Sequence, residues 1–228
     1  MSPPLSERFH SPIGQILCQN KNHQKLSLFV TKTEKSSRHD VSLSCFSYLR
    51  DMDNSELTFR PARPGEQERI LEIIGQAQAQ MRAAGSDQWQ DGYPARADID
   101  ADIARGAGHV LCRADGTIIA YGALFFDGEP SYATIRGAWT TAGDYVVLHR
   151  LAVADGEKCR GAATEFLRRT ASLARKRGTP AFRVDTNFDN RPMLHLMEKE
   201  HFVYCGKIRC RNGERLAFEK RLLPPKTP

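Results

Sequence analysis

The hydrophobic period of the chain changes twice between residues 145 and 178. Residues 145–153 are rich in Val and Leu and hold neither Gly nor Pro, which predicts a strand. Asp155-Gly156 breaks that pattern. The apolar positions then fall at Ala163, Phe166, Leu167, Leu173 and Ala174, with Thr170 between them, at intervals that share one helical face. Arg168, Arg169, Arg175, Lys176 and Arg177 line the other face, and Gly178 supplies a C-terminal stop. Residues 181–186 predict the next strand. Asn190 is placed to cap a second helix, with Pro192 in its first turn. Residues 202–208 and 215–218 predict closing strands. Upstream, residues 57–62 predict a first strand. Residues 66–84 predict a helix with Ile70, Ile73, Ile74, Ala77 and Met81 on one face. Residues 97–104 predict a short helix, and residues 109–113 and 117–126 a hairpin around Asp115-Gly116. Interleaved strands and helices of this kind make an α/β (α+β) domain.

The turn between the strand at 145–153 and its helix reads Lys158-Cys159-Arg160-Gly161-Ala162-Ala163-Thr164. A basic, small-residue loop running into a helix start aims backbone amides and the positive end of the helix dipole at one point, which suits a pyrophosphate. In its order of elements and in two motifs the chain resembles the GCN5-related N-acetyltransferase (GNAT) superfamily, specifically a small acetyltransferase of bacterial type. The family's pyrophosphate loop follows Gln/Arg-x-x-Gly-x-Gly/Ala. Here Lys158 stands at the basic position, Gly161 at the glycine and Ala163 at the Gly/Ala position. Cys159 stands where many members carry glycine, and a side chain there is costly if the backbone needs a positive φ. The family's later motif, Asn-x-x-Ala-x-x-Leu-Tyr-Glu-Lys-x-Gly-Phe, is matched by Asn190, Leu196, Glu198, Lys199 and Phe202. Met197 replaces the tyrosine often proposed as general acid, and His201 replaces the glycine. The resemblance spans residues 57–222. It implies a mixed, mostly antiparallel central sheet flanked by helices, with the family's fourth and fifth strands splayed apart.

Composition bounds the remaining possibilities. No apolar run approaches the ~18 residues needed to cross a membrane. The six cysteines, at 18, 45, 112, 159, 205 and 210, form no Cys-x-x-Cys pair, so no metal site is expected. Without a secretory h-region, reduced thiols and a cytoplasmic location are the expectation. The net charge is +6, and residues 1–51 alone hold seven Lys/Arg against four Asp/Glu. A solvated surface accounts for this charge, because basic and aromatic residues do not cluster as nucleic-acid binding requires. Residues 1–56 show no lasting period and form an extension to the domain at 57–223. Three readings fit that extension: a flexible tail, a segment upstream of a true start at Met52, or an organellar presequence.

Acetyl transfer from a thioester needs a neutral amine, a hydrogen-bond donor for the carbonyl oxygen, and a thiol that leaves. The resemblance implies that acetyl-CoA is the donor. It also implies that amides around Leu151, Ala152 and Val153 serve the carbonyl through a strand bulge, and that Lys158 to Thr164 hold the pyrophosphate. Asn187 and Asn190 would lie against pantetheine or phosphate. His149, in a His-x-Leu-Ala-Val stretch similar to that of arylalkylamine acetyltransferases, is the candidate base, against the alternative of a buried structural histidine. Strict alternation places His149, Leu151 and Val153 on one face, unless a bulge breaks the phase. For the acid, Tyr204 and Tyr145 compete with unaided thiolate departure.

Trp89, Tyr93 and Trp139 either wall the acceptor pocket or anchor loops to the core. The stretch Gln88-Trp89-x-x-Gly92-Tyr93-Pro94 also resembles one in a bacterial GNAT subgroup. Asp87, Asp91 and Asp98 nearby suit a cationic acceptor. The expected partner is a small-molecule or peptide amine, with the chain a monomer or homodimer. Two rivals are weighed. One is a GNAT-fold module that binds CoA without catalysis. The other, a dinucleotide-binding enzyme, lacks its Gly-x-Gly-x-x-Gly run, and no P-loop is present.

Overall fold

The computed structural model describes residues 57–210 and 212–223, so the expectations for residues 1–56 lie outside the described part. Strand β1 (Thr58–Pro61) leads into helices α1 (Gln67–Ala83) and α2 (Arg96–Ala104). The hairpin β2 (Gly108–Cys112) and β3 (Ile118–Phe125) follows. A 3-10 turn at Pro130–Thr134 and the two-residue strand β4 (Arg136–Gly137) then lead to β5 (Tyr145–Val153). Beyond it come a 3-10 turn at Asp155–Glu157, α3 (Ala162–Lys176), β6 (Ala181–Thr186), α4 (Arg191–Lys199), β7 (Val203–Cys210) and β8 (Gly213–Arg221).

The strands form one sheet in the order β1-β2-β3-β5-β6-β8-β7-β4. Only β5 and β6 run parallel; every other pair is antiparallel. The short β4 is the one strand the hydrophobic pattern did not predict. It depends on a backbone crossing rather than on apolar residues. Gly137 and Gly206 face each other at φ 140° and 134°, and a Cβ on Gly137 would stand 2.1 Å from the Cys205 carbonyl oxygen. Only glycine fits at such a crossing.

Helices on both faces bury the sheet. On one face Phe166 and Leu167 of α3 and Met197 of α4 pack on Leu111, Leu124, Val146, Leu148, Phe182 and Val184. On the other, Ile70, Ile73 and Ile74 of α1 and Ile99 of α2 cover Val110, Tyr121 and Ala152. The first set explains the missing tyrosine: Met197 is fully buried in this core, where a phenolic hydroxyl would lack water. A third cluster joins Tyr132, Val147, Ile208 and Ala217. Beside it Arg183 is buried with Glu219, Nε to Oε2 3.0 Å, and its guanidinium lies 3.9 Å from the Tyr145 ring centroid. No helix among the described residues is long and apolar enough to cross a membrane.

Candidate active site

β5 is interrupted at Arg150. Ala123 of β3 pairs with His149 and Tyr121 pairs with Ala152, so two β5 residues, Arg150 and Leu151, oppose the single Gly122. Arg150 takes φ 59°, which an L-residue holds only when its surroundings over-determine it. The surroundings are a buried network. Arg150 Nε donates to Asp102 Oδ2 at 2.8 Å and Nη2 to Oδ1 at 2.5 Å, while Nη1 donates to the Tyr93 hydroxyl. The Tyr121 hydroxyl donates to the same Asp102 at 2.6 Å. Burial is the largest single influence and works against the arginine's charge, but hydrogen bonds and charge attraction from Asp102 and Tyr93 together outweigh it, and the guanidinium pKa is raised. Burial also pushes the Tyr93 hydroxyl up.

The bulge changes which side chains face which core. Before it, Val146 and Leu148 belong to the core under α3; after it, Leu151 and Val153 do, and Ala152 joins the core under α1. His149 lies on the opposite face, its ring 5.5 Å from that of Phe125. Strict alternation therefore fails, and His149 does not share a face with Leu151 and Val153. The backbone turns with it. The Ala154 amide bonds the Ile119 carbonyl of β3 at 2.9 Å. Alternation along an antiparallel strand then sends the Ala152 amide the same way and the Leu151 and Val153 amides the other. That other side is open, because β5 pairs with β6 only at Tyr145, Val146 and Val147.

A cavity of about 300 Å³ occupies the gap, with Leu148 and Leu151 on one wall and Val184, Asp185 and Thr186 on the other. Thr186 is 1% exposed and its Oγ1 has no partner. His149 stands at the far end of the cavity between two carboxylates. Its Nε2 is 3.0 Å from Glu129 Oε2 and its Nδ1 4.0 Å from Asp185 Oδ1. Hydrogen bonding to His149 holds the Glu129 carboxyl at about 2, despite partial burial, with help from the Ser131 amide. Asp185 Oδ1 also accepts the Tyr132 hydroxyl at 2.9 Å, and Oδ2 lies 3.9 Å from Arg215 Nε. Burial raises the Tyr132 hydroxyl well above its ordinary value.

The sequence-predicted residues distribute unevenly around this cavity. Trp89 and Tyr93 line it and also pack into the core under α1, so wall and anchor are one role here. Asn190 caps α4, accepting the Met193 amide at 3.2 Å, and lines the cavity while donating to Gln88 Oε1 at 3.0 Å. Asn187 lies in the loop after β6, outside the cavity lining. Trp139 is also outside it, tilted against Tyr132 with the Arg183 guanidinium over its ring, and its indole donates to the Tyr132 carbonyl. Neither tyrosine considered as an acid lines the cavity. Tyr145 gives its hydroxyl to the Glu129 amide as acceptor, and Tyr204 is exposed against Phe218. Of the three acids expected nearby, Asp91 lines the cavity, Asp87 is exposed and Asp98 accepts the Ala95 amide at the start of α2.

The phosphate loop curls through two left-handed residues, Cys159 at φ 63° and Gly161 at φ 90°. Such alternation turns successive amides inward as an anion-binding concavity. Cys159 therefore does occupy a position whose φ favours glycine. α3 begins without a side-chain cap, so the Ala162, Ala163 and Thr164 amides, which lie before the first intrahelical bond from Glu165 to Gly161, stay available. Arg160 is exposed, whereas Lys158 pairs with Asp155. Sequence reasoning missed Glu129, Asp185, Arg150 and Asp102; of these only Arg150 carried a signal, a charge inside an apolar strand.

The model of the Acetyltransferase (GNAT) family matches residues 74–202. A search of curated proteins finds no match. Among solved structures, a GNAT-family acetyltransferase from Streptococcus agalactiae is 36% identical, with a TM-score of 0.68 over 74% of this chain and 96% of that one. A putative acetyltransferase from Staphylococcus aureus is 24% identical, with a TM-score of 0.56 over 73% and 99%. A putative acetyltransferase from Salmonella typhimurium, solved with its cofactor acetyl-CoA, is 16% identical, with a TM-score of 0.52 over 76% and 98%, and bears on the fold alone. The matched segment holds β5 and its bulge, the curled loop, the open gap and the capped α4, and with them the chain belongs to the GNAT family of acetyltransferases.

Proposed function

We propose that the chain transfers an acetyl group from acetyl-CoA to a primary amine by direct attack, with His149 as the base. The observation that carries this reading is the histidine held between Glu129 and Asp185 at the end of a gap lined by strand amides. The residues present fit the donor. Amides of Cys159, Gly161 and the first turn of α3 suit the pyrophosphate, with Arg160 adding charge. The orphaned Thr186 hydroxyl faces the passage a pantetheine amide would take. When bound, acetyl-CoA supplies an acyl carbon on a thioester whose thiol, pKa ~8.5, leaves readily.

The chain's own groups do the rest. Glu129 accepts the Nε2 proton of His149, which leaves the lone pair on Nδ1. Nδ1 takes the proton of the incoming ammonium, and Glu129 stabilises the imidazolium that results. The amine nitrogen then bonds the acyl carbon as the C–S bond breaks, the electron pair departs on sulfur, and the thiolate takes the second proton that the nitrogen sheds to become a neutral amide. The Leu151 and Val153 amides, turned into the gap, donate to the oxygen on which charge develops. Cys210 also lines the cavity, but burial pushes its thiol up, away from the thiolate that an acyl-cysteine route needs.

The test is thiol release from acetyl-CoA across a panel of primary amines, with the wild type and His149→Ala. The variant is expected to lose about tenfold or more in kcat/KM and to lose the pH dependence between about pH 6 and 9. An unchanged profile would remove His149 as the base. Heat of acetyl-CoA binding without any turnover would replace an enzyme with a binding module.

A further inference from the structure

The two arginines that line the cavity are held in different ways. Arg150 commits Nε, Nη1 and Nη2 to Asp102 and Tyr93. Arg215 is nearly as buried, 13% exposed at its side chain, yet among the described residues its sole ion pair is Nε to Asp185 Oδ2 at 3.9 Å, too long for a hydrogen bond. A guanidinium carries five donors, and a cation withdrawn from water without acceptors is costly. The Asp185 carboxylate is also divided: the Tyr132 hydroxyl holds Oδ1, and His149 stands beyond it at 4.0 Å. The donors of Arg215 thus open into the same cavity as Nδ1 of His149.

From this we infer that the acceptor is a small amine bearing its own carboxylate, of the amino-acid class, with Arg215 binding the carboxylate while His149 receives the amine. The inference rests on reading this cavity as the acceptor site. Arg215 and His149 flank the two oxygens of one aspartate, so the two groups of the ligand belong on one short molecule. Asp185 between them has a second effect: it repels a carboxylate from the histidine end and attracts the ammonium, which fixes the direction of entry. The volume, about 300 Å³, sits at the small end for ligand pockets and must also admit the acyl end of the donor. Ser131, Asn212 and Asp91 line the same end and leave the side-chain position polar.

The experiment compares amino acids with the amines obtained by removing their carboxylate, on the wild type, Arg215→Met and Arg215→Lys. Thiol release measures turnover, and calorimetry of the amino acid alone measures binding. The expected result is turnover of amino acids, with decarboxylated amines poorer by about tenfold or more in kcat/KM. Arg215→Met is expected to raise the amino-acid KM by a similar factor and to change kcat/KM for the decarboxylated amine far less, with partial recovery in Arg215→Lys. Decarboxylated amines used as well as amino acids, or an unaltered KM in Arg215→Met, would overturn the inference. Carboxylate-dependent binding without turnover would strike at the transfer reading and leave this one standing. Absence of amino-acid binding to the wild type would strike at this one alone if other amines are acetylated.

Discussion

The two ends of the cavity are built from different material. The end proposed for the donor is made of backbone: the amides of the Cys159–Gly161 loop, the first turn of α3, and the strand amides turned out by the bulge. The end proposed for the acceptor is made of side chains from separate segments. Tyr93 comes from the loop before α2, Glu129 from the cap of the 3-10 turn, Asp185 from β6 and Arg215 from β8. A backbone site tolerates most side chains and is undone by a change of φ or by bulk. A side-chain site tolerates backbone drift poorly and is undone by single atoms.

The sharpest way to separate the two ends is Gly161→Glu. It puts a carboxylate at φ 90° where the pyrophosphate is placed, although a Cβ there meets nothing within 4 Å. Acetyl-CoA affinity by calorimetry is expected to fall about a hundredfold, ~2.7 kcal/mol, with the melting temperature little changed. A normal affinity would show that this loop is not the donor site.

Asp102→Ala tests whether the ends are mechanically joined. It removes the partner of a buried arginine and is expected to cost about 3–5 kcal/mol in denaturant unfolding. Asp102→Asn keeps the shape and should cost less, so a larger kcat loss than KM change in that variant would read as a misplaced bulge. Equal, purely proportional losses of folded protein and activity would reduce Asp102 to a stability role.

Glu129→Gln acts on the acceptor end alone. The folded-state carboxyl sits at about 2, below its ordinary 4.5, so its contribution to stability is fully present above pH 4.5 and drains away as pH falls toward 2. The stability difference between wild type and Glu129→Gln should shrink across that window. At neutral pH, kcat should fall about tenfold with no change in KM for acetyl-CoA.

The smallest effect is expected for Cys159→Gly. A left-handed cysteine costs about 1 kcal/mol, and glycine's extra unfolded-state entropy returns most of it. A rise of a degree or two in melting temperature with unaltered acetyl-CoA binding would fit. A large gain in affinity would mean that Cys159 strains the loop.

The same contrast governs what could be read from the chain. β5, β6 and the capping by Asn190 lie where hydrophobic period and residue type predict them, because local sequence decides them. The loop proposed for the donor could be picked out for the same reason: a backbone cradle leaves its mark in consecutive small and basic residues. The acceptor end could not. Glu129 and His149 are twenty residues apart and meet only because β3 and β5 pair, and Arg215 reaches Asp185 only through the β6–β8 ladder. Trp139 stayed open between pocket wall and core anchor on similar grounds: its neighbours Tyr132 and Arg183 come from elsewhere in the sequence. A bulge in β5 was expected only from the family resemblance, and its place at Arg150 was not legible, because Arg150 meets Asp102 and the facing β3 residues only in the folded chain.

That bulge makes β5 a text read in two frames. Before Arg150 the even-numbered residues face α3; after it the odd-numbered ones do. Straightening the strand there with every residue kept would restore a single frame and force a choice: Leu151 and Val153 keep their core and His149 swings into it, or His149 keeps its station and the leucine and valine are turned out. No substitution can satisfy both, so the splice itself, more than any side chain on it, is what the strand cannot exchange.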